Sequence, residues 1–270
     1  MKKCEIATLL NNTLNLYSDY METGFISHHD DNFDFNYIDE ILTKEEENKN
    51  VEIIEKNIID SFNNNSQSNN LIETSEDVIK KRSIIKLAGE IIKCNKCGFN
   101  NQNRNPVGGI SNPSGKIFVI SDYPNQIDEK NNSILSGEVG DFFKKWMDSI
   151  QINFNDLFIT TLIKCNIDGK NIDQKNFKNI IENCNNYLDR QINIIKPVMT
   201  FVLGEIVLSS MFKKHVPIKE NHGQFFTYNS IPLIATYNPK EVLKNSLLKK
   251  DVWNDLKILK KFYDGKITNG

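Results

Sequence analysis

The sequence predicts an α/β sandwich built around a parallel sheet. Three observations lead there. Four short apolar runs rich in strand-forming residues recur along the chain: KIFVIS (116–121), DLFITTL (156–162), VMTFVLG (198–204) and IPLIATY (231–237). Their hydrophobicity is nearly continuous rather than alternating, as in strands buried on both faces. Helical patterns separate them, and strand–helix alternation implies parallel strands joined by right-handed crossovers.

Each element follows from its local pattern. Residues 1–22 place Ile6, Leu9, Leu10, Leu14, Leu16 and Tyr17 at loosely helical spacing, so an N-terminal helical segment is expected. Asn11 and Asn12 interrupt the apolar stretch and no small-residue cleavage site follows, so no signal peptide is read. Residues 23–75 are acidic, without period, and contain the low-complexity run SFNNNSQSNN. They are read as a largely disordered linker, with His28 and His29 as part of a solvated tail. From 76 to 265 the pattern is globular. SEDVIKKRSIIKLAGEIIKC opens on cap-type residues and repeats Val78, Ile79, Ile84, Ile85, Leu87, Ile91 and Ile92 at helical spacing. GEVGDFFKKWMDSI follows the first strand and aligns Val139, Phe142, Phe143, Trp146, Met147 and Ile150. QKNFKNIIENCNNYLDRQINII follows the second and aligns Phe177, Ile180, Ile181, Cys184, Leu188, Ile192 and Ile195, and GEIVLSSMF follows the third.

Composition narrows the function classes. With 39% hydrophobic and 25% charged residues in 270, the chain reads as an ordinary soluble domain with polar segments. No apolar run is long enough to span a membrane, so no membrane partner is expected. A cytoplasmic location and a monomer are expected. There cysteines stay reduced and serve as ligands rather than disulfides. The net charge of −2 hides an asymmetry: residues 1–80 carry 6 Lys/Arg against 17 Asp/Glu, and residues 81–270 carry 27 against 18. A basic body suits a polyanionic partner, with simple solvation of the charges as the alternative.

IIKCNKCGFNNQNR (91–104) holds a Cys-x2-Cys pair, Cys94 and Cys97, which is half of a site. Cys165 closes the second strand and Cys184 lies on the apolar face of the next helix, so the two can meet at one edge of the layer. Cys4 reads as a small buried apolar residue. Four thiolates suit zinc or a 4Fe–4S cluster, and unrelated core cysteines are the third possibility. Zinc sites usually pair close ligands on small knuckles. Here the second pair is split across regular structure, which favours a cluster. A redox pair would follow a strand and open a helix, whereas this one follows a helix.

In order along the chain come the Cys-x2-Cys, the loop Arg104…Val107-Gly108-Gly109, the strand ITTLIKC, the helix C-x2-YL-x2-QI-x3-KP and ATYNPKEVL. Together, over about residues 80 to 262, they resemble the iron–sulfur uracil-DNA glycosylases, the family 4 type of the uracil-DNA glycosylase superfamily. The resemblance implies a three-layer α/β/α sandwich with a central four-stranded parallel sheet. It implies a 4Fe–4S cluster on Cys94, Cys97, Cys165 and Cys184, with zinc as the alternative. It also implies DNA carrying uracil or a related damaged base as partner, and hydrolysis of the N-glycosidic bond after base flipping.

The family's motifs map onto strand ends, with departures. Its Gly-Glu-small-Pro-Gly matches Ser121-Asp122-Tyr123-Pro124-Asn125, which puts Asp122 at the acid that positions water, one methylene shorter than Glu, and Tyr123 beside it. A turn-capping role is the plain alternative for this Asp. Its Pro-Phe-Val-Gly matches Ile134-Leu135-Ser136-Gly137, so Leu135 replaces a stacking Phe. Its Thr-Asn matches Thr160-Thr161, so Thr161 offers one hydroxyl where an amide reads the uracil edge. Its His-Pro-Ser matches Asn238-Pro239-Lys240. Asn238 is then the donor to the leaving base, as in the similar Asn-Pro-Ser of the mismatch-specific branch, and Lys240 adds a charge suited to a phosphate or the leaving anion. Its Arg-Gly appears as His222-Gly223, where His222 contacts phosphate or acts as an acid, with an ordinary surface position favoured. The functional expectation is a DNA glycosylase of base excision repair. The alternatives are a catalytically impaired DNA-binding or scaffold protein of the same fold and a zinc-stabilised interaction module.

Overall fold

The computed structural model describes residues 75–97, 106–109, 111–167 and 172–268. The helical segment expected at 1–22 lies outside the described residues, as do Cys4, His28, His29, Arg104 and the linker expected at 23–75 except its last residue, Ser75, which opens the first helix. From Glu76 onward the chain forms one compact unit.

That unit starts with α1 (Ser75–Ile92) and then β1 (Ile117–Ser121), α2 (Gln126–Asn131) and α3 (Gly137–Ser149). A 3-10 turn at Phe154–Asp156 leads into β2 (Leu157–Thr161), α4 (Gln174–Ile195), β3 (Met199–Leu203), α5 (Glu205–Phe212) and α6 (Ile218–Asn221). Then come β4 (Phe225–Tyr228), β5 (Ile231–Thr236), α7 (Pro239–Lys244), a 3-10 turn at Ser246–Leu248 and α8 (Lys249–Thr268).

The sheet order is β2-β1-β3-β5-β4. The four strands expected from the apolar runs pair in parallel, and every residue of β1, β2 and β3 is buried. The expected strand number is corrected by one: β4 joins antiparallel to β5. Its Phe225 and Thr227 are exposed while Phe226 and Tyr228 are half-buried, so it lacks the continuous apolar run that marks the others. Asn229 (φ 48°) and Ser230 (φ 65°) form the two-residue hairpin between them, both in the left-handed region that such turns require.

One core holds the helices to the sheet. Phe118 and Phe158 stack at 5.2 Å between β1 and β2. Phe143 and Met147 of α3, Ile180, Leu188, Ile192 and Ile195 of α4, and Val252, Leu256 and Leu259 of α8 are buried in it. Burial of each such side chain stabilises by roughly 1.5–3 kcal/mol. A satellite cluster of Leu87, Ile91 and Tyr187 fixes α1 to α4, and Arg190 reaches Glu90 beside it. Asp173 caps α4 by accepting from the Asn176 N–H, and Lys196 in the left-handed region ends it ahead of Pro197. Among the described residues no helix is long and apolar enough to cross a membrane.

Candidate active site at the carboxyl ends of the strands

Parallel strands present their carboxyl ends together, and function collects there. The β1–β2 register sets Ser121 directly beside Thr161. Leu162 and Ile163 carry the pairing on by donating to the Ser121 and Asp122 carbonyls (2.8 and 2.9 Å), which fixes the backbone of Asp122. Gly204 (φ 97°) ends β3, and a Cβ there would lie 3.1 Å from the Asn238 Cβ. A glycine therefore lets Asn238 close over the end of β3.

Asp122 is buried, and its Oδ1 accepts three bonds: from the Tyr123 N–H (2.8 Å), the Ser121 hydroxyl (3.1 Å) and the Lys240 ammonium (3.1 Å). Its Oδ2 takes no hydrogen bond among the described residues. Lys240 Nζ also donates to the Tyr123 carbonyl (2.9 Å) and lies 4.3 Å from the centre of the Tyr123 ring. Asn238 points inward. Its Nδ2 donates to Ser121 Oγ (3.3 Å) and the Leu203 carbonyl (3.4 Å), and its Oδ1 caps α7 by accepting from the Lys240 N–H (2.9 Å). The Thr161 hydroxyl is buried without a partner among the described residues. The Thr200 hydroxyl is buried without a partner in the same way.

Leu135 is buried with φ 55°, on the loop between α2 and α3. Asp128 holds that loop: one carboxylate oxygen accepts from Asn125 N–H (2.8 Å), the other from Ser136 N–H (2.7 Å). Burial pushes the Asp128 carboxyl above its ordinary range. Gly140 lies so close to the Leu135 carbonyl that a side chain there has no room.

His222 is half-buried rather than a free surface residue. Its Nδ1 lies 3.0 and 3.1 Å from the two oxygens of Asp255, which is 2% exposed. Thr236 donates to the same carboxylate (2.6 Å), and the His222 ring packs on Tyr237 at 5.2 Å. Burial pushes the Asp255 carboxyl up, against the pull of its hydrogen bonds from Thr236 and His222.

The four cysteines lie within electrostatic reach of one another. Cys165 and Cys184 are buried, Cys94 and Cys97 half-buried, and none of the four is in a disulfide. Burial pushes the Cys165 thiol up to about 12, and Cys184, Cys97 and Cys94 beside it push the same way. Burial raises Cys184 as well, while the Lys164 backbone N–H donates to it. Among the described residues no three His, Cys, Asp or Glu side chains close in on a single ion. Four thiols in electrostatic reach of one another match a cluster, or a zinc ion, in number and donor type.

The model of the uracil DNA glycosylase superfamily matches residues 109–257. The chain belongs to that superfamily. Among curated relatives, the "Type-4 uracil-DNA glycosylase" of Saccharolobus solfataricus is 29% identical over 189 residues, 67% of this chain and 86% of that protein. The protein of the same name in Archaeoglobus fulgidus is 25% identical over 194 residues, 69% of this chain and 92% of its own length.

Within this glycosylase-superfamily fold, Asp122, Tyr123, Thr161, Asn238 and Lys240 sit at or just beyond the carboxyl ends of β1, β2 and β5, with β3 between β1 and β5. His222 is tied instead to α8 through Asp255. Sequence reasoning missed the network between the strand ends and the cysteines. Lys164 is 1% exposed, and its ammonium donates to Thr160 Oγ1 (2.8 Å), the Thr161 carbonyl (2.5 Å) and Gln191 Oε1 (2.8 Å). All three acceptors are neutral, and burial pushes the ammonium down to about 7. Gln191 Nε2 donates to the Gly108 carbonyl (2.8 Å), and Gly109 packs on the Thr160 hydroxyl. The available signal was a lysine inside an otherwise apolar strand end, ITTLIKC.

Proposed function

We propose that this chain is a DNA glycosylase that hydrolyses the N-glycosidic bond of uracil, or of a related damaged base, in DNA. The observation that carries the reading is Asp122, held at the end of β1 by three donors on one oxygen, with no hydrogen bond to the other among the described residues. A flipped nucleotide would bring its anomeric carbon to that second oxygen, because the bond is out of reach inside a duplex. Asp122 orients water and balances the positive charge that develops on the sugar. Thr161 and Leu135 line the base pocket, with Tyr123 against it and Asn238 closing its floor. His222, oriented by Asp255, faces phosphate, as does the basic body.

Cys94, Cys97, Cys165 and Cys184 would hold a 4Fe–4S cluster. The cluster would act as a structural tie among α1, the end of β2 and α4, so the chain's own residues do the chemistry.

A second reading, a DNA-binding protein without chemistry, draws on the inward-turned Asn238 amide. The test is base release from single- and double-stranded oligonucleotides, with anaerobically purified full-length protein and thymine-containing controls. Release confined to uracil or a damaged base is expected. DNA binding without release from any strand would overturn the glycosylase reading in favour of the second.

A further inference from the structure

We infer that Lys240, rather than Asn238, is the catalytic residue that stabilises the departing base; this rests on the glycosylase reading above. The Asn238 side chain is committed. Both amide hydrogens go inward, to Ser121 Oγ and the Leu203 carbonyl, and its oxygen caps α7. No donor of Asn238 is left for a base.

Lys240 is placed for that task. Its backbone is pinned by the cap from Asn238 (2.9 Å), and its ammonium is pinned by Asp122 Oδ1 (3.1 Å) and the Tyr123 carbonyl (2.9 Å). The Tyr123 ring supports the cation at 4.3 Å. An ammonium has three N–H donors, and these two acceptors use two of them. The third is a cationic donor fixed beside the acid that positions the water. A donor held in place before charge develops costs no reorganisation during reaction.

The step balances without any further reactant. Water adds to C1′ as the C1′–N bond breaks. The bonding pair leaves on the base nitrogen and spreads onto the base's carbonyl oxygens. The water proton passes to Asp122 Oδ2. The base anion is held by the Lys240 N–H and takes its own proton from solvent after release.

The test is single-turnover release of uracil and of 5-fluorouracil from the same oligonucleotide, by full-length wild type, Lys240→Met and Lys240→Arg. Circular dichroism confirms that each variant folds. A 5-fluorouracil anion is intrinsically more stable and needs less help in leaving. Lys240→Met is expected to slow uracil release about 100-fold, with a clearly smaller loss of about 10-fold for 5-fluorouracil. Its DNA affinity is expected to stay within about 2-fold of wild type, and Lys240→Arg to recover most of the rate. An equal loss for both bases overturns the inference. So does a loss confined to DNA affinity with a salt slope lower by about one, which would make Lys240 a phosphate contact. A wild type that releases neither base overturns the glycosylase reading and this inference together, whereas the first two results leave that reading intact.

Discussion

Asp255 is among the most buried acids of the described chain, and its partners define what it does. It holds the His222 ring and the Thr236 hydroxyl, so Asp255→Ala leaves both without their acceptor. A loss of about 2–3 kcal/mol is expected in urea unfolding. The sign of its pH dependence follows from burial, which raises the carboxyl above its ordinary 3.8. The folded chain then binds this proton more tightly than the unfolded one. The contribution is fully present below that ordinary value and is lost as pH rises through the raised one. Unfolding curves of wild type and Asp255→Asn are expected to shift in the variant's favour as pH rises through that window; parallel curves would show that the carboxyl is not raised. At this scale the sequence singled out residues with a local or motif context: the cysteines, Asp122 and Asn238. It did not reveal pairs that packing creates. Lys240 is 118 residues from Asp122 and His222 is 33 from Asp255, so no spacing rule joins them. Lys164 sits in a strand-end stretch, but its bond to Gln191, 27 residues on, is likewise made by packing.

Among elements, the buried parallel strands and the long amphipathic helices α3 and α4 were legible because their patterns are strong. The edge strand β4 was not, since its half-exposed alternation spans four residues. The Asn229-Ser230 pair between two β-rich stretches was the missed hairpin signal. Helix α8 was hidden by its many lysines, although Val252, Leu256, Leu259 and Tyr263 keep helical spacing and are buried. Gly140 sits against the Leu135 carbonyl, and Leu135 already occupies the left-handed region. Gly140→Ala is expected to cost about 1–3 kcal/mol through overpacking and to displace Leu135 from the pocket. Thermal unfolding and base release would both fall. A variant with wild-type stability and rate would show that the loop before α3 does not set the pocket.

The whole molecule is a fold of the uracil DNA glycosylase superfamily. Glu76 onward forms a unit by itself. Deleting residues 1–74 is therefore expected to leave soluble protein with the same near-ultraviolet dichroism, and aggregation of the truncated chain would contradict the linker reading. The four cysteines predict four irons and four sulfides per chain after anaerobic purification, both lost in Cys184→Ala; one zinc per chain instead would select the alternative metal. The account stands or falls on the acid at the end of β1. The most direct measurement is the single-turnover rate of uracil release by Asp122→Ala beside wild type, with DNA affinity measured on the same samples. A loss of about 100-fold or more with unchanged affinity is predicted. Release at the wild-type rate would contradict the account and remove Asp122 from the reaction.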